Sequence, residues 1–220
     1  MTLPPYIAPP PAPIHYLHVD AALLVVDKPS GLLSVPGRGA DKADCLVARV
    51  HAEYPDALIV HRLDMETSGL MVLARDADTH RALSMQFQQR QVSKRYVAVV
   101  HGRLAAASGT IDLPLITDWP NRPRQKVDFV LGKPSLTHYR LLAYDAAEDT
   151  SRVALEPETG RSHQLRVHLM SLGHPILGDA LYASPPVQQK AQRLLLHAEF
   201  LAFRHPQTGA AMEFSLKAPF

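Results

Sequence analysis

The 220-residue sequence is poor in the features that mark several common protein classes. It has one cysteine, Cys45, so no disulfide can form within the chain, and a reducing, cytoplasmic setting is expected. No apolar run reaches the ~18 residues of a membrane-spanning helix, and no membrane association is expected. The N-terminus has no basic stretch leading into an apolar one, so a secretory leader is not expected either. Metal-binding strings are missing despite 12 histidines: there is no His-Glu-x-x-His, Cys45 stands alone, and His163 and His168 are badly spaced for one helix face. No metal is expected. No Gly-x-Ser-x-Gly elbow occurs, and Gly37-x-Gly39 is too short for a dinucleotide loop. Net charge is also small, at +2 with a pI near 8.7. A nucleic-acid partner would therefore have to be met by cations gathered on one face.

What is present reads as an N-terminal arm followed by one domain. Residues 4–13 hold six prolines and predict an extended arm over 1–14, leaving 15–220 as the folded body. Strand patterns cover 22–27, 58–61, 69–74, 95–101, 136–144, 152–156, 194–203 and 212–216. Amphipathic spacing predicts helices over 41–54, 76–91 and 163–172, the last with a stripe of Leu165, Leu169 and Leu172. The stretch from Pro114 to Pro134, with four prolines, Trp119 and four cations, predicts a long surface loop. Helices scattered among many strands predict an α+β fold with a large, mainly antiparallel mixed sheet flanked by helices and loops.

Two segments carry chemistry. His61-Arg62-Leu63-Asp64-Met65-Glu66-Thr67-Ser68-Gly69 lies between strands, where a loop can present a reactive carboxylate. Gly160-Arg161-Ser162-His163-Gln164-Leu165-Arg166-Val167-His168 enters the third helix, with Arg166 to one side of the apolar stripe. An arginine beside Asp64 would hold its carboxylate ionised. Further cations gather at Arg90, Lys94 and Arg95, and at Arg122, Arg124 and Lys126. With Trp119 and Tyr96 they form a set suited to phosphate contacts and base stacking. A non-catalytic RNA-binding module would use the same cations and aromatics, but leaves His61–Asp64 without a purpose. A carboxylate glycosidase would need a second essential carboxylate and an aromatic-rich cleft; the chain has one tryptophan, and Glu66 is better read as a local partner.

Taken in order, these strings resemble the RluA family of pseudouridine synthases. The likeness includes Lys28-Pro-Ser-Gly-Leu-Leu, the Asp64 and Arg166 segments, Lys94-Arg95-Tyr96, Gly173-His-Pro-Ile-Leu-Gly-Asp and Leu194-Leu-Leu-His-Ala, and spans about residues 20–218. The strings at 31–38 and 113–123 resemble members that act on both 23S ribosomal RNA and the tRNA anticodon stem-loop. The short form, without an N-terminal S4-type domain, is the one that this chain is similar to.

The resemblance implies an isomerase that converts uridine to pseudouridine in structured RNA by flipping the base and breaking and re-forming its glycosidic bond. It implies no cofactor and no obligatory protein partner. It assigns Asp64 as the essential aspartate, Arg62 as the group that fills the vacated stack, Tyr96 as the ring lying on the uracil, and Arg166 as the partner of the aspartate. Leu195 is expected in the apolar wall, with Leu194 and Leu196 as adjacent candidates. His61, Lys94 and Arg161 are expected on the RNA-binding side. Asp64 would act either as nucleophile at C1′ or as a base at the ribose.

Overall fold

A computed structural model describes residues 5–220. The elements begin with β1 (His15–Val19), β2 (Leu23–Lys28), α1 (Leu46–His51), β3 (Leu58–Ile59), β4 (Ser68–Ala74) and α2 (Ala77–Gln88). They continue with β5 (Ser93–His101), β6 (Ser108–Asp112), β7 (Leu115–Thr117), β8 (Gln125–Val127), β9 (Leu136–Asp145) and β10 (Thr150–Pro157). The last are α3 (Gln164–Ser171), α4 (Pro185–Gln188), β11 (Leu196–Arg204) and β12 (Ala211–Ser215). Few helices among many antiparallel pairings give the α+β class expected. The chain divides into two compact units: one runs to Ser93 and takes up Ala198–Lys217, and the other holds Lys94–His197 with Ala218–Phe220.

In the first unit the strand order is β1-β2-β4-β11, with β12 on β11 and β3 on β4. β2 and β4 pair antiparallel from Leu23 opposite Ala74 to Lys28 opposite Gly69. Leu23–Val26 and all of β4 are buried, which is why both read as continuous apolar runs rather than as alternation. Leu23, Val25, Leu70 and Val72 pack with Leu83 of α2 and with Leu201 and Phe203 of β11. Asp76 caps α2 by accepting from the Thr79 amide, as its sequence position suggests. The expected helix over 41–54 is shorter: only Leu46–His51 is α-helical, preceded by a 3-10 turn at Ala40–Lys42. The reason is tertiary. The Leu46 and Val47 amides donate to the Leu33 and Ser34 carbonyls, which starts the helix there.

Residues 1–4, including Pro4 of the arm, lie outside the described residues. The rest of the arm, residues 5–14, holds no helix or strand. The Tyr6 hydroxyl donates to Asp44 O and accepts from Leu33 N, and Arg49 donates to the Pro9 and Pro10 carbonyls.

In the second unit the order is β5-β10-β9-β6, all antiparallel. Ala98, Val100, Val153 and Leu155 form a core with Leu165 and Leu169 of α3, Ile176, Leu194 and Leu196. The stripe of α3 is narrower than expected, because Leu172 is 40% exposed. The predicted loop over 114–134 is corrected: it contains the β7–β8 hairpin, with Leu115 opposite Val127 and Thr117 opposite Gln125. Its prolines sit in the turn and flanks, at 114, 120, 123 and 134, and leave the paired residues free to bond.

Candidate active site

The structure places the predicted residues in two groups, one in each unit. His61, Arg62 and Asp64 share the loop between β3 and β4. This loop is anchored on both sides of Asp64. The Ser34 hydroxyl donates to Leu63 O at 2.8 Å and accepts from Leu63 N at 3.1 Å. Met65 O accepts from Gly31 N at 2.9 Å, and Glu66 O accepts from Ser30 Oγ at 2.7 Å. The Thr67 amide closes a turn on Asp64 O at 3.1 Å. Leu63 is buried, Asp64 is half-buried and Arg62 is exposed. These bonds hold the main chain of the loop on both sides of Asp64.

Lys28 is central to this anchorage, and the sequence reading gave it no role. Its side chain is fully buried, and Nζ donates to Pro29 O at 2.9 Å, Leu32 O at 2.6 Å and Met65 O at 2.9 Å. Three carbonyls thus meet the three donors of the ammonium. The available signal was a lysine two residues beyond the buried apolar run Leu23–Val26, where its head group has little access to water. His61 is also structural in its contacts: Nε2 accepts from the Val72 amide at 3.1 Å, and the ring stacks on Phe87 with centroids 4.5 Å apart. Gly69 closes the segment with φ of +111°, and a Cβ there would collide with the Ala198 carbonyl oxygen.

Lys94, Tyr96, Arg161, Arg166 and Leu195 belong to the second unit. Lys94 and Tyr96 lie two apart on β5 and so share one face. Burial pushes the Lys94 ammonium below the usual lysine range. Tyr96 and Leu195 are both partly buried and pack against the core that includes Leu165 and Leu169. Leu194 and Leu196 are buried, leaving Leu195 as the most accessible of the three leucines.

Arg161 is exposed, with Nε donating to Pro134 O at 3.3 Å. The turn that carries it is held by Gln164, whose Oε1 accepts from Thr159 Oγ1 and the Arg161 amide. Its Nε2 donates to Leu136 O and Thr137 Oγ1.

Arg166 is not the surface cation that helix periodicity allows: it is 3% exposed. Asp179 holds it, accepting from Nε at 2.8 Å and Nη2 at 2.7 Å. The same carboxylate accepts from the Leu181 and Tyr182 amides. Four donors on one buried carboxylate fix its orientation and, with it, the plane of the guanidinium. Gly178, at φ of +74°, lets the chain turn into this position; a Cβ there would strike the Arg193 carbonyl. The string Gly178-Asp179 stood in the sequence, but nothing in its spacing pointed to Arg166.

Among the described residues, no three His, Cys, Asp or Glu side chains come together to hold a metal ion, and no helix is long and apolar enough to cross a membrane. Chemically, the first unit offers an anchored carboxylate in Asp64, and the second offers a preset guanidinium, an aromatic face and a partly buried ammonium in Arg166, Tyr96 and Lys94.

Known proteins are similar to the chain over most of its length. Residues 22–171 match the RNA pseudouridylate synthase family. The dual-specificity RNA pseudouridine synthase RluA of Escherichia coli strain K12 is 53% identical over 204 residues, covering 93% of each chain. That of Pasteurella multocida strain Pm70 is 48% identical over 220 residues, the whole of both chains. Among solved structures, human RNA pseudouridylate synthase domain containing 1 is similar with a TM-score of 0.78 and 28% identity. That likeness covers 94% of this chain and 84% of the human one. The chain belongs to the RNA pseudouridylate synthase family and isomerises uridine in RNA.

Proposed function

We propose that the targets are uridines in two RNAs, 23S ribosomal RNA and the tRNA anticodon stem-loop, and that Asp64 drives the isomerisation. The observation that carries the dual targeting is end-to-end similarity to dual-specificity enzymes. Support for Asp64 comes from its loop, where bonds to Leu63, Met65 and Glu66 on either side hold the carboxylate in place. Pre-set geometry of this kind is what lowers a barrier without costing order at the moment of reaction.

The chemistry breaks N1–C1′, turns the uracil, forms C5–C1′ and moves the C5 proton away as N1 is protonated. Nothing is oxidised or lost, so the reaction demands no redox cofactor and no ATP. A stacked nucleotide hides C1′ and must be flipped out, at a cost of about a few kcal/mol. Exposed Arg62 fills the vacated stack, and the Tyr96 ring receives the uracil face. Both routes to cleavage, attack on C1′ and proton abstraction from the ribose, need Asp64 ionised. Arg166, held by Asp179, supplies the favourable charge.

The RNA backbone is met by Lys94, Arg161 and the cations of the β7–β8 hairpin, where Arg122 stacks on the exposed Trp119 at 4.5 Å. The folded body and its extended arm act in the cytoplasm, as one catalytic domain without an obligatory protein partner.

The test is tritium release from C5-labelled stem-loops, with pseudouridine mapping in cells that have or lack the protein. Asp64→Asn keeps the shape and removes the charge, so it is expected to abolish release while RNA binding persists. Residual turnover within about tenfold of the parent would remove Asp64 from its role.

A further inference from the structure

Tyr182 joins two parts of the second unit that the reaction uses differently. Its side chain is 7% exposed. The hydroxyl accepts from the Gln125 amide of β8 at 2.7 Å and bonds His163 Nδ1 at 2.7 Å. Its ring lies beside two guanidiniums, with Cζ of Arg166 at 5.2 Å and Cζ of Arg124 at 5.4 Å. Its amide donates to Asp179, the carboxylate that grips Arg166. His163 directly precedes α3 with a left-handed φ of 53°, a conformation unusual outside glycine. One side chain therefore touches the hairpin main chain, the entry to α3 and the face of Arg166.

We propose that Tyr182 is a positioning residue that couples RNA contact at the β7–β8 hairpin to the placement of Arg166. This rests on the reading of that hairpin as an RNA-binding element. The hairpin has only three residues in each strand and a turn that is largely exposed, so its own pairing holds it weakly. The bond from Gln125 is a direct route by which a shift of β8 reaches the Tyr182 ring. A ring held by its hydroxyl at one end and its amide at the other has little freedom to move independently of Arg166. RNA seated on Trp119 and Arg122 would fix the hairpin, and through Tyr182 fix the guanidinium.

The test is a double-mutant cycle on single-turnover rates at saturating RNA, with affinities measured separately. Tyr182→Phe keeps the ring and removes the hydroxyl. It is expected to lower the saturated rate about tenfold, as a small misplacement of a catalytic group does, with affinity changed less than about twofold. The double substitution Trp119→Ala with Arg122→Ala is expected to weaken RNA binding about tenfold by loss of stacking, and to lower the saturated rate too. In the Tyr182→Phe background the same pair should weaken binding but leave the rate where Tyr182→Phe set it.

Hydrogen exchange at the Gln125 amide gives a second readout, and it should quicken in Tyr182→Phe. Rate losses that multiply, a Tyr182→Phe rate within about twofold of the parent, or unchanged Gln125 exchange would each overturn the coupling. If Trp119→Ala with Arg122→Ala leaves affinity intact, the RNA-contact reading of the hairpin fails and the coupling fails with it. Multiplying losses accompanied by weakened affinity overturn the coupling alone.

Discussion

The guanidinium of Arg166 donates two parallel hydrogen bonds to Asp179, Nε to Oδ2 at 2.8 Å and Nη2 to Oδ1 at 2.7 Å. Both side chains are almost wholly buried, at 4% and 0% exposed. Removing one partner of such a pair leaves the other charge buried without its counterpart, at a cost of roughly 3–5 kcal/mol. Asp179→Asn presents an amide N–H₂ where the guanidinium needs an acceptor, so stability is expected to fall by about 3 kcal/mol in urea unfolding. Among molecules that remain folded, the single-turnover rate should drop more than RNA affinity does, because Arg166 loses its orientation. A stability change under about 1 kcal/mol would mean that the pair is not the anchor of Arg166.

Lys28 is expected to matter for the Asp64 loop without touching RNA. Lys28→Met keeps the apolar stem and removes the ammonium, so Pro29 O, Leu32 O and Met65 O lose a buried donor. Each lost partner costs roughly 1–3 kcal/mol, offset in part by no longer burying a charge. The net expectation is a destabilisation of about 3 kcal/mol, and a slower reaction because Met65 adjoins Asp64. Urea denaturation and stem-loop kinetics check both. A variant as stable and as fast as the parent would show that the Met65 bond does not hold the loop.

Asp20 predicts a pH dependence. Burial opposes its ionisation, but hydrogen bonds from His18, the Leu23 and Ala22 amides and His205 prevail and hold the carboxyl well below the usual range. A carboxyl depressed in the folded state binds fewer protons there than in the unfolded chain. Its contribution is therefore complete above the unfolded value of about 4, and is lost as pH falls through the folded one. Asp20→Asn should be less stable than the parent at pH 7, and the gap should narrow steadily below about pH 4. Unfolding curves at several pH values measure this. A gap that stays constant down to the acid limit would contradict the assignment.

Much of the first unit was legible because its central strands β2 and β4 are buried on both faces. Leu23–Val26 and Leu70–Ala74 are uninterrupted apolar runs, and no other element explains them. The Asp64 loop was legible through its string and its place between strands. The β7–β8 hairpin was not, because its prolines and cations are those of a loop while its pairing is only three residues long. The burial of Arg166 was hidden for a different reason. Periodicity treats every arginine as a surface residue, and the carboxylate that makes its burial tolerable lies 13 residues on, beyond a turn. Tyr182 was unreadable likewise, since its partners Gln125 and His163 are distant in sequence and carry no pattern of their own.

The two arginines of the proposed site differ in burial, and the proposal gives them different roles. Arg62 is exposed on the Asp64 loop, whereas Arg166 is buried against Asp179. In the proposed division of roles, Arg62 acts before chemistry, by occupying the space of the extruded base, and Arg166 acts in the chemical step. Arg62→Ala should hurt most on a well-stacked stem-loop, and its defect should shrink on an RNA whose target nucleotide is already unstacked, because less stacking energy then needs replacing. Arg166→Ala should be severe on both, since the missing charge does not depend on RNA structure. Arg166→Lys should not restore the rate, because an ammonium cannot reproduce the two-pronged bond to Asp179. Single-turnover kinetics on a matched pair of stacked and pre-flipped RNAs decides the matter. If Arg62→Ala and Arg166→Ala show the same substrate dependence, the division of roles is wrong, even if both residues prove essential.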